Sequence, residues 1–180
     1  QYFLLGGSWN NFVELQKQMW WYNTNLKASH TYQSDWWTWP LMLRPVWYYV
    51  DYSRPGLIAN IYALGNPILW WLGIPAILFT MLYALRSKSW RLWLIVAGFL
   101  TFWLPWARAP RIMFIYHYLP SVPFICLALA YVLQKLNNKY LTIGTCGLIL
   151  GVFIFFFPHW TGIHLPSGWA DHYYWLASWK

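Results

Sequence analysis

The sequence predicts an all-α membrane protein, with about four transmembrane helices preceded by an extracytoplasmic amphipathic and aromatic segment. Three observations lead there. Four apolar runs, roughly 66–85, 90–106, 112–133 and 141–158, each approach the ~20 residues that cross a hydrocarbon core, the second and fourth being short. Only 9% of the 180 residues are charged against 59% hydrophobic, too little charge to cover a soluble domain of this size. Aromatic residues reach 23%, with 17 Trp and 14 Tyr, and such rings suit the membrane–water interface, apolar body in the acyl region and N–H or O–H among the headgroups.

The order along the chain gives three parts: 1–65 as an extracytoplasmic amphipathic and Trp-rich segment, 66–158 as a four-helix transmembrane domain, and 159–180 as an extracytoplasmic tail. In the first part, Phe12, Leu15, Met19, Tyr22 and Leu26 recur at helical spacing, and Asn11 with Glu14 resembles a capping box. The expectation is an amphipathic helix lying on the membrane or packed on the bundle. Pro40, Pro45 and Pro55 then predict irregular backbone instead of one long helix. The start, Gln-Tyr-Phe-Leu-Leu, has neither an initiator Met nor a signal-peptide pattern, so the chain reads as a piece of something longer.

In the membrane part, Trp70 and Trp71 sit near one end of the first run, Trp90 and Trp93 at one end of the second, and Trp103 and Trp106 at the other. Gly147 and Gly151 in the fourth form a small-xxx-small pair that lets a neighbouring helix approach. Arg86, Lys88 and Arg91 lie between the first two runs, and Lys135 and Lys139 between the last two, which makes that side cytoplasmic and the chain N-out, C-out. The net charge of +8 is thus accounted for by orientation and lipid contact, and no basic helix or aromatic sheet motif supports nucleic-acid binding. Cys126 and Cys146 fall inside apolar runs, with no disulfide framework or metal-ligand spacing.

Two constellations can carry chemistry, both on the predicted extracytoplasmic side. In the block from His30 to Asp51, Trp36, Trp37 and Trp39 give a broad π surface that suits sugar faces, a lipid tail or simple anchoring, while His30 and Arg44 add donors. In Arg108–Pro123, Arg108 and Arg111 lie where positive charge is scarce in short loops. A lipid phosphate explains them, as does snorkelling to ordinary headgroups. His117 is an ionisable residue just inside the third run, with Ser121 one turn on as its candidate partner, or a structural His satisfied within the bundle. Pro120 and Pro123 remove helical hydrogen bonds there, so the outer half of that helix is kinked and polar. The four carboxylates, Glu14, Asp35, Asp51 and Asp171, offer no acid–base pair, and no phosphate-binding Gly loop, zincin motif or serine nucleophile elbow is present.

Trp36-Trp37-Thr38-Trp39-Pro40-Leu41, Arg44-Pro45-Val46-Trp47-Tyr48-Tyr49, Gly65-Asn66-Pro67 followed by Trp70-Trp71, and Arg111 through Pro123 together resemble the C-terminal four-helix domain of protein O-mannosyltransferases. The resemblance covers essentially the whole chain; Thr31 departs from it, where Pro is expected after the His. With no room for the β-trefoil domain of eukaryotic members, a bacterial or archaeal plasma-membrane form is implied. The resemblance implies transfer of mannose from a polyprenyl-phosphate carrier to Ser or Thr hydroxyls of an acceptor protein on the extracytoplasmic face, commonly with a divalent metal that is not strictly required. It implies no certain cofactor and no metal ligand in this chain. The family's catalytic acidic residue lies N-terminal of anything in this sequence, so the chain alone is expected to be inactive and to work with the enzyme's N-terminal transmembrane part. Arg108, Arg111, His117 and Tyr116 are then the candidate donor-phosphate residues, and His30, Trp36, Trp37, Trp39 and Arg44 the candidate cavity lining. The alternatives are a related lipid-phosphate-sugar transferase with a non-protein acceptor and a non-catalytic membrane scaffold or partner subunit. A transporter fits less well, because the ionisable residues gather at one face.

Overall fold

The computed structural model describes residues 8–25 and 28–180. Helix α1 (Trp9–Asn25) begins at Ser8, whose hydroxyl oxygen accepts the Asn11 N–H at 3.2 Å and whose carbonyl accepts the Phe12 N–H at 3.0 Å. Ser8 therefore takes the cap expected of Asn11 and Glu14; Glu14 instead pairs with Lys17 one turn on, at 2.7 Å. None of α1's residues is buried, so its apolar positions do not pack into the bundle. Leu26, expected on that face, lies outside the described residues.

The backbone is irregular only as far as Pro45. Beyond it, strands β1 (Val46–Asp51) and β2 (Leu57–Ala63) form an antiparallel hairpin with a bulge between Trp47 and Tyr49. Pro45 immediately precedes the first strand and Pro55 lies in the turn between the two, so neither breaks a strand, and Gly56, at φ +75°, supplies the turn conformation an L side chain resists. The aromatic and β-branched run Val-Trp-Tyr-Tyr-Val opposite Leu-Ile-Ala-Asn-Ile-Tyr suits a pleated surface. Strand β3 (Leu165–Pro166) completes a sheet of order β1-β2-β3, with Leu57 opposite Pro166 and Ile58 opposite Leu165. This small sheet is an addition to the all-α expectation.

Four helical spans follow, at 67–87, 90–108, 115–136 and 139–161, each long and apolar enough to cross a membrane. Helix α2 (Pro67–Ser87) starts at Asn66, whose side chain accepts the Leu69 N–H and donates to the Ile149 carbonyl at 2.9 Å. Helix α3 (Trp90–Trp103) continues as a 3-10 stretch to Arg108. The third span opens with a 3-10 segment, Ile115–Ser121, before helix α4 (Val122–Leu136), so the prolines place a change of winding where a kink was expected. Helix α5 (Lys139–Thr161) is capped by the Asn138 side chain. Pairing of β2 with β3 requires the chain to return, after four spans, to the side it left. Four crossings satisfy that requirement, and the sheet lies at one end of the bundle.

Close helix approach comes from glycines other than those expected. A Cβ on Gly73 would stand 2.1 Å from the Ile125 Cγ2, and one on Gly98 2.1 Å from the Phe124 ring, where α2 and α3 meet α4. Gly147 and Gly151 instead face open space among the described residues. Gly73→Ala is expected to destabilise the bundle by about 1–3 kcal/mol, read as a lower Tm in detergent; an unchanged Tm would contradict the close α2–α4 contact.

At the hairpin tip, Asp51 accepts from the Ser53 N–H (2.7 Å) and the Ser53 hydroxyl (3.0 Å), and pairs with His164 Nε2 (3.1 Å) beside β3. These contacts, the Ser53 amide first, hold its carboxyl below the ordinary 3.8. A depressed carboxylate stabilises the fold above its ordinary value, and that contribution is lost as pH falls through the lower folded value. In Asp51→Asn, hairpin amides should exchange faster at neutral pH, and the difference from wild type should fade below about pH 4. A difference that persists in acid would disprove the carboxylate's part.

Candidate functional site at the aromatic rim

The end of the bundle that carries the sheet is assembled from segments remote in sequence. The turn at 30–33 is closed by the Gln33 N–H on the His30 carbonyl, with His30 Nδ1 accepting from the Tyr32 N–H. Next to it, the Ser34 N–H donates to the Met113 carbonyl at 2.9 Å, fastening this loop to the segment between the second and third spans. Between the two lies an open cleft of about 660 Å³, bordered by Ser29, Gln33, Asp35, Arg111 and Met113.

Arg111 is half-buried there. Its guanidinium donates to the Asn23 side-chain oxygen of α1 and to the adjacent Ile112 carbonyl. Its partners are neutral, and among the described residues no carboxylate lies within ion-pair distance of it. Asp35 borders the same cleft, with no ion pair among the described residues. Arg108 is exposed at the end of the second span and is not among the residues bordering the cleft.

His117 sits among aromatic rings, stacked on Tyr116 (4.7 Å) and Trp39 (5.9 Å) with its edge to Trp106 (4.3 Å). Its Nδ1 lies 3.2 Å from the Phe114 amide and 2.9 Å from the Phe114 carbonyl, accepting from one or donating to the other according to tautomer. Ser121, expected as its partner, is fully buried and donates to the Phe99 carbonyl of α3 instead. The 3-10 winding explains this: three residues per turn set His117 and Ser121, four apart, off a common face. Tyr116 stacks on Tyr48 of the hairpin (6.2 Å) and borders a second cavity, of about 330 Å³, beneath it.

The tryptophan-rich block divides by task. Trp39 is fully buried and donates to the Ser34 hydroxyl, while the Trp36 carbonyl accepts from the Trp103 indole at 2.9 Å. Trp37 is exposed, and His30 sets its ring edge against Phe114. Arg44 clamps the rim: its guanidinium donates to the Thr31 and Ser178 carbonyls and lies over the Tyr32 ring. From residues 30–49 the cavities are bordered by Gln33, Ser34, Asp35 and Tyr48. Asn23, Gln33 and Asp35 were not singled out as site residues by sequence reasoning. Asp35 had a signal, being one of four carboxylates and lying inside the block; Asn23 had none. Among the described residues no three His, Cys, Asp or Glu side chains gather into a metal-ligating group. Chemically, then, the cleft offers a guanidinium with no ion-paired carboxylate among the described residues, together with neutral hydrogen-bonding groups and the Asp35 carboxylate.

Fold and rim together define a four-span membrane domain that presents an aromatic face with a half-buried arginine at one end. The chain belongs to the protein O-mannosyltransferase family: residues 8–179 match the C-terminal four TMM region of protein-O-mannosyltransferase. It is similar to a polyprenol-phosphate-mannose–protein mannosyltransferase of Mycolicibacterium smegmatis (28% identity over 170 residues, 84% of this chain and 33% of the relative). It is also similar to dolichyl-phosphate-mannose–protein mannosyltransferase 5 of Saccharomyces cerevisiae (27% over 203 residues, 95% and 26%). Among solved structures it superposes with TM-score 0.77 and 25% identity on the S. cerevisiae protein O-mannosyltransferase Pmt1-Pmt2 complex bound to the sugar donor, covering 97% of this chain and 27% of that one. The chain thus spans a third or less of the length of these relatives.

Arg44→Ala is expected to release the C-terminal tail from the 31–44 loop, at a cost of about 1–3 kcal/mol, because its donors bridge the two. Hydrogen exchange at residues 176–180 should accelerate; unchanged protection there would contradict the clamp.

Proposed function

We propose that this chain forms the donor-binding half of a membrane mannosyltransferase that moves mannose from a polyprenyl-phosphate carrier to Ser or Thr hydroxyls of proteins. The observation that carries the reading is Arg111, held in the rim cleft by neutral partners with no carboxylate paired to it. When the bond between the sugar's anomeric carbon and the phosphate oxygen breaks, that oxygen keeps the electron pair, and the carrier phosphate gains a negative charge. A guanidinium already positioned there stabilises the leaving group. The acceptor hydroxyl attacks the anomeric carbon and gives up its proton to a base outside this chain. The piece is therefore inactive by itself and works with the enzyme's N-terminal membrane part.

Arg111 is the phosphate contact, and the exposed Arg108 adds charge nearby. His117 and Tyr116 act by fixing the 3-10 segment that follows Arg111 and by bordering the route along it. The names of the relatives, which specify polyprenol- or dolichyl-phosphate-mannose, support the donor class. The short connections at the opposite end carry Arg86, Lys88, Arg91, Lys135 and Lys139, which supports an extracytoplasmic rim; the similarity to a mycobacterial enzyme is what supports a bacterial or archaeal plasma membrane.

In the full-length enzyme, Arg111→Ala should lower kcat/KM for the lipid donor by roughly 100-fold. Arg111→Lys should recover only part of it, because a lysine cannot reproduce the guanidinium fork. Unchanged lipid-donor kinetics would sink the phosphate assignment.

A further inference from the structure

Arg111 gives the rim cleft its cation, and the carboxylate of Asp35 is left without a task. Asp35 borders the same cleft, next to Ser34, whose N–H fastens this loop to the Met113 carbonyl. It stands before the short 3-10 turn Trp36–Thr38, where an aspartate side chain ordinarily caps free N–H groups. Here the side chain makes no such bond. The Asp35 backbone carbonyl serves the turn instead, accepting the Thr38 N–H at 2.9 Å and the Thr38 hydroxyl at 2.7 Å.

Other acceptors around the cleft are already engaged. The Ser34 hydroxyl accepts from the Trp39 indole at 3.0 Å, and the Gln33 side-chain oxygen accepts from the His30 N–H at 3.3 Å. The Asp35 carboxylate, with two oxygens that can only accept, has neither a hydrogen bond nor an ion pair among the described residues. Nor do three metal-ligating side chains gather there among the described residues.

A cation and a carboxylate that share a cleft without pairing suit a ligand with two unlike ends. A bare phosphate would meet Arg111 but be repelled by Asp35. A sugar phosphate satisfies both, its anionic end on the guanidinium and its hydroxyls donating to the carboxylate. With the phosphate on Arg111, repulsion keeps the carboxylate away from the hydroxyl beside the anomeric carbon and directs it to the far side of the ring. In mannose the C3 and C4 hydroxyls lie there, adjacent and both equatorial, so the two carboxylate oxygens can take them together.

We infer that Asp35 is a specificity-determining residue for the donor, its carboxylate accepting from the C3 and C4 hydroxyls of the sugar whose phosphate Arg111 holds. This rests on the function proposed above. The contact is remote from the bond that breaks, so it is equal in ground and transition states and shows in KM, with kcat little changed.

The test uses the purified full-length enzyme with farnesyl phosphate mannose and its 3-deoxy and 4-deoxy analogues. Donor binding is measured without acceptor, and transfer with it. The wild type should bind each deoxy analogue roughly tenfold more weakly than the parent, the scale of one hydrogen bond to a charged group. Asp35→Ala should bind the parent roughly tenfold or more weakly, raise KM, and no longer distinguish it from the analogues. Asp35→Asn, which keeps one accepting oxygen, should fall between. A merely structural role would leave the discrimination intact, and the turn is held by the Asp35 backbone, which both variants retain. Undiminished discrimination in Asp35→Ala overturns the assignment. So does a fall in kcat at constant KM, which would make Asp35 the base. Arg111→Ala separates the two claims. Weakened binding there, with the Asp35 variants unaffected, leaves the phosphate reading and overturns this one. Lost discrimination in Asp35→Ala beside unchanged binding in Arg111→Ala does the reverse, and a wild type that binds none of the donors overturns both.

Discussion

The pairing of Leu57 and Ile58 with Pro166 and Leu165 is the constraint on which the rest of the rim depends. It joins the residues before the first span to those after the fourth, and so fixes the number of crossings as even. Around it the tail is held at several points. Trp179 donates to the Met42 carbonyl, Ser178 accepts from Arg44, and His159 lies stacked between Tyr62 of β2 and Tyr173 of the tail, at 4.4 and 4.7 Å. Hairpin, helix end and tail thereby become one platform.

That platform gives the second and third spans something rigid to close against. The Trp103 indole reaches the Trp36 carbonyl, Trp39 packs on Trp106 and His117, and Ser34 takes the Met113 carbonyl. Indole N–H groups are expensive to bury unpaired, so a rim this rich in tryptophan must spend its carbonyls and hydroxyls on them. The indoles of Trp39, Trp47, Trp71, Trp103, Trp106 and Trp179 all have such partners. Against that background Arg111, with only neutral partners among the described residues, stands out.

The membrane spans were legible because length and hydropathy alone specify them, and the family was legible because the rim motifs are contiguous in sequence. The hairpin was not. Pro45 and Pro55 read as breakers, and the alternation in 46–63 is weak because a bulge interrupts it and both faces carry aromatics. The glycine contacts were misplaced for a related reason. Gly147 and Gly151 have the familiar spacing, but which face of a helix meets a neighbour is decided by the whole bundle, and α4 meets Gly73 and Gly98. The tasks of His117 and Arg44 were hidden as well. Their partners are backbone carbonyls at Phe114, Thr31 and Ser178, which no side-chain pattern announces.

In the relatives, the matching domain makes up a third or less of the chain. The central claim is that this face receives the carrier lipid along the segment from Arg111 to Leu119. Photo-crosslinking tests it most directly, using a polyprenyl phosphate with a diazirine on its first isoprene unit and mapping adducts in the full-length enzyme by mass spectrometry. The account predicts adducts within 28–35 and 110–119. Adducts confined to the opposite end of the bundle, near Lys135 and Lys139, or wholly outside this domain would contradict it.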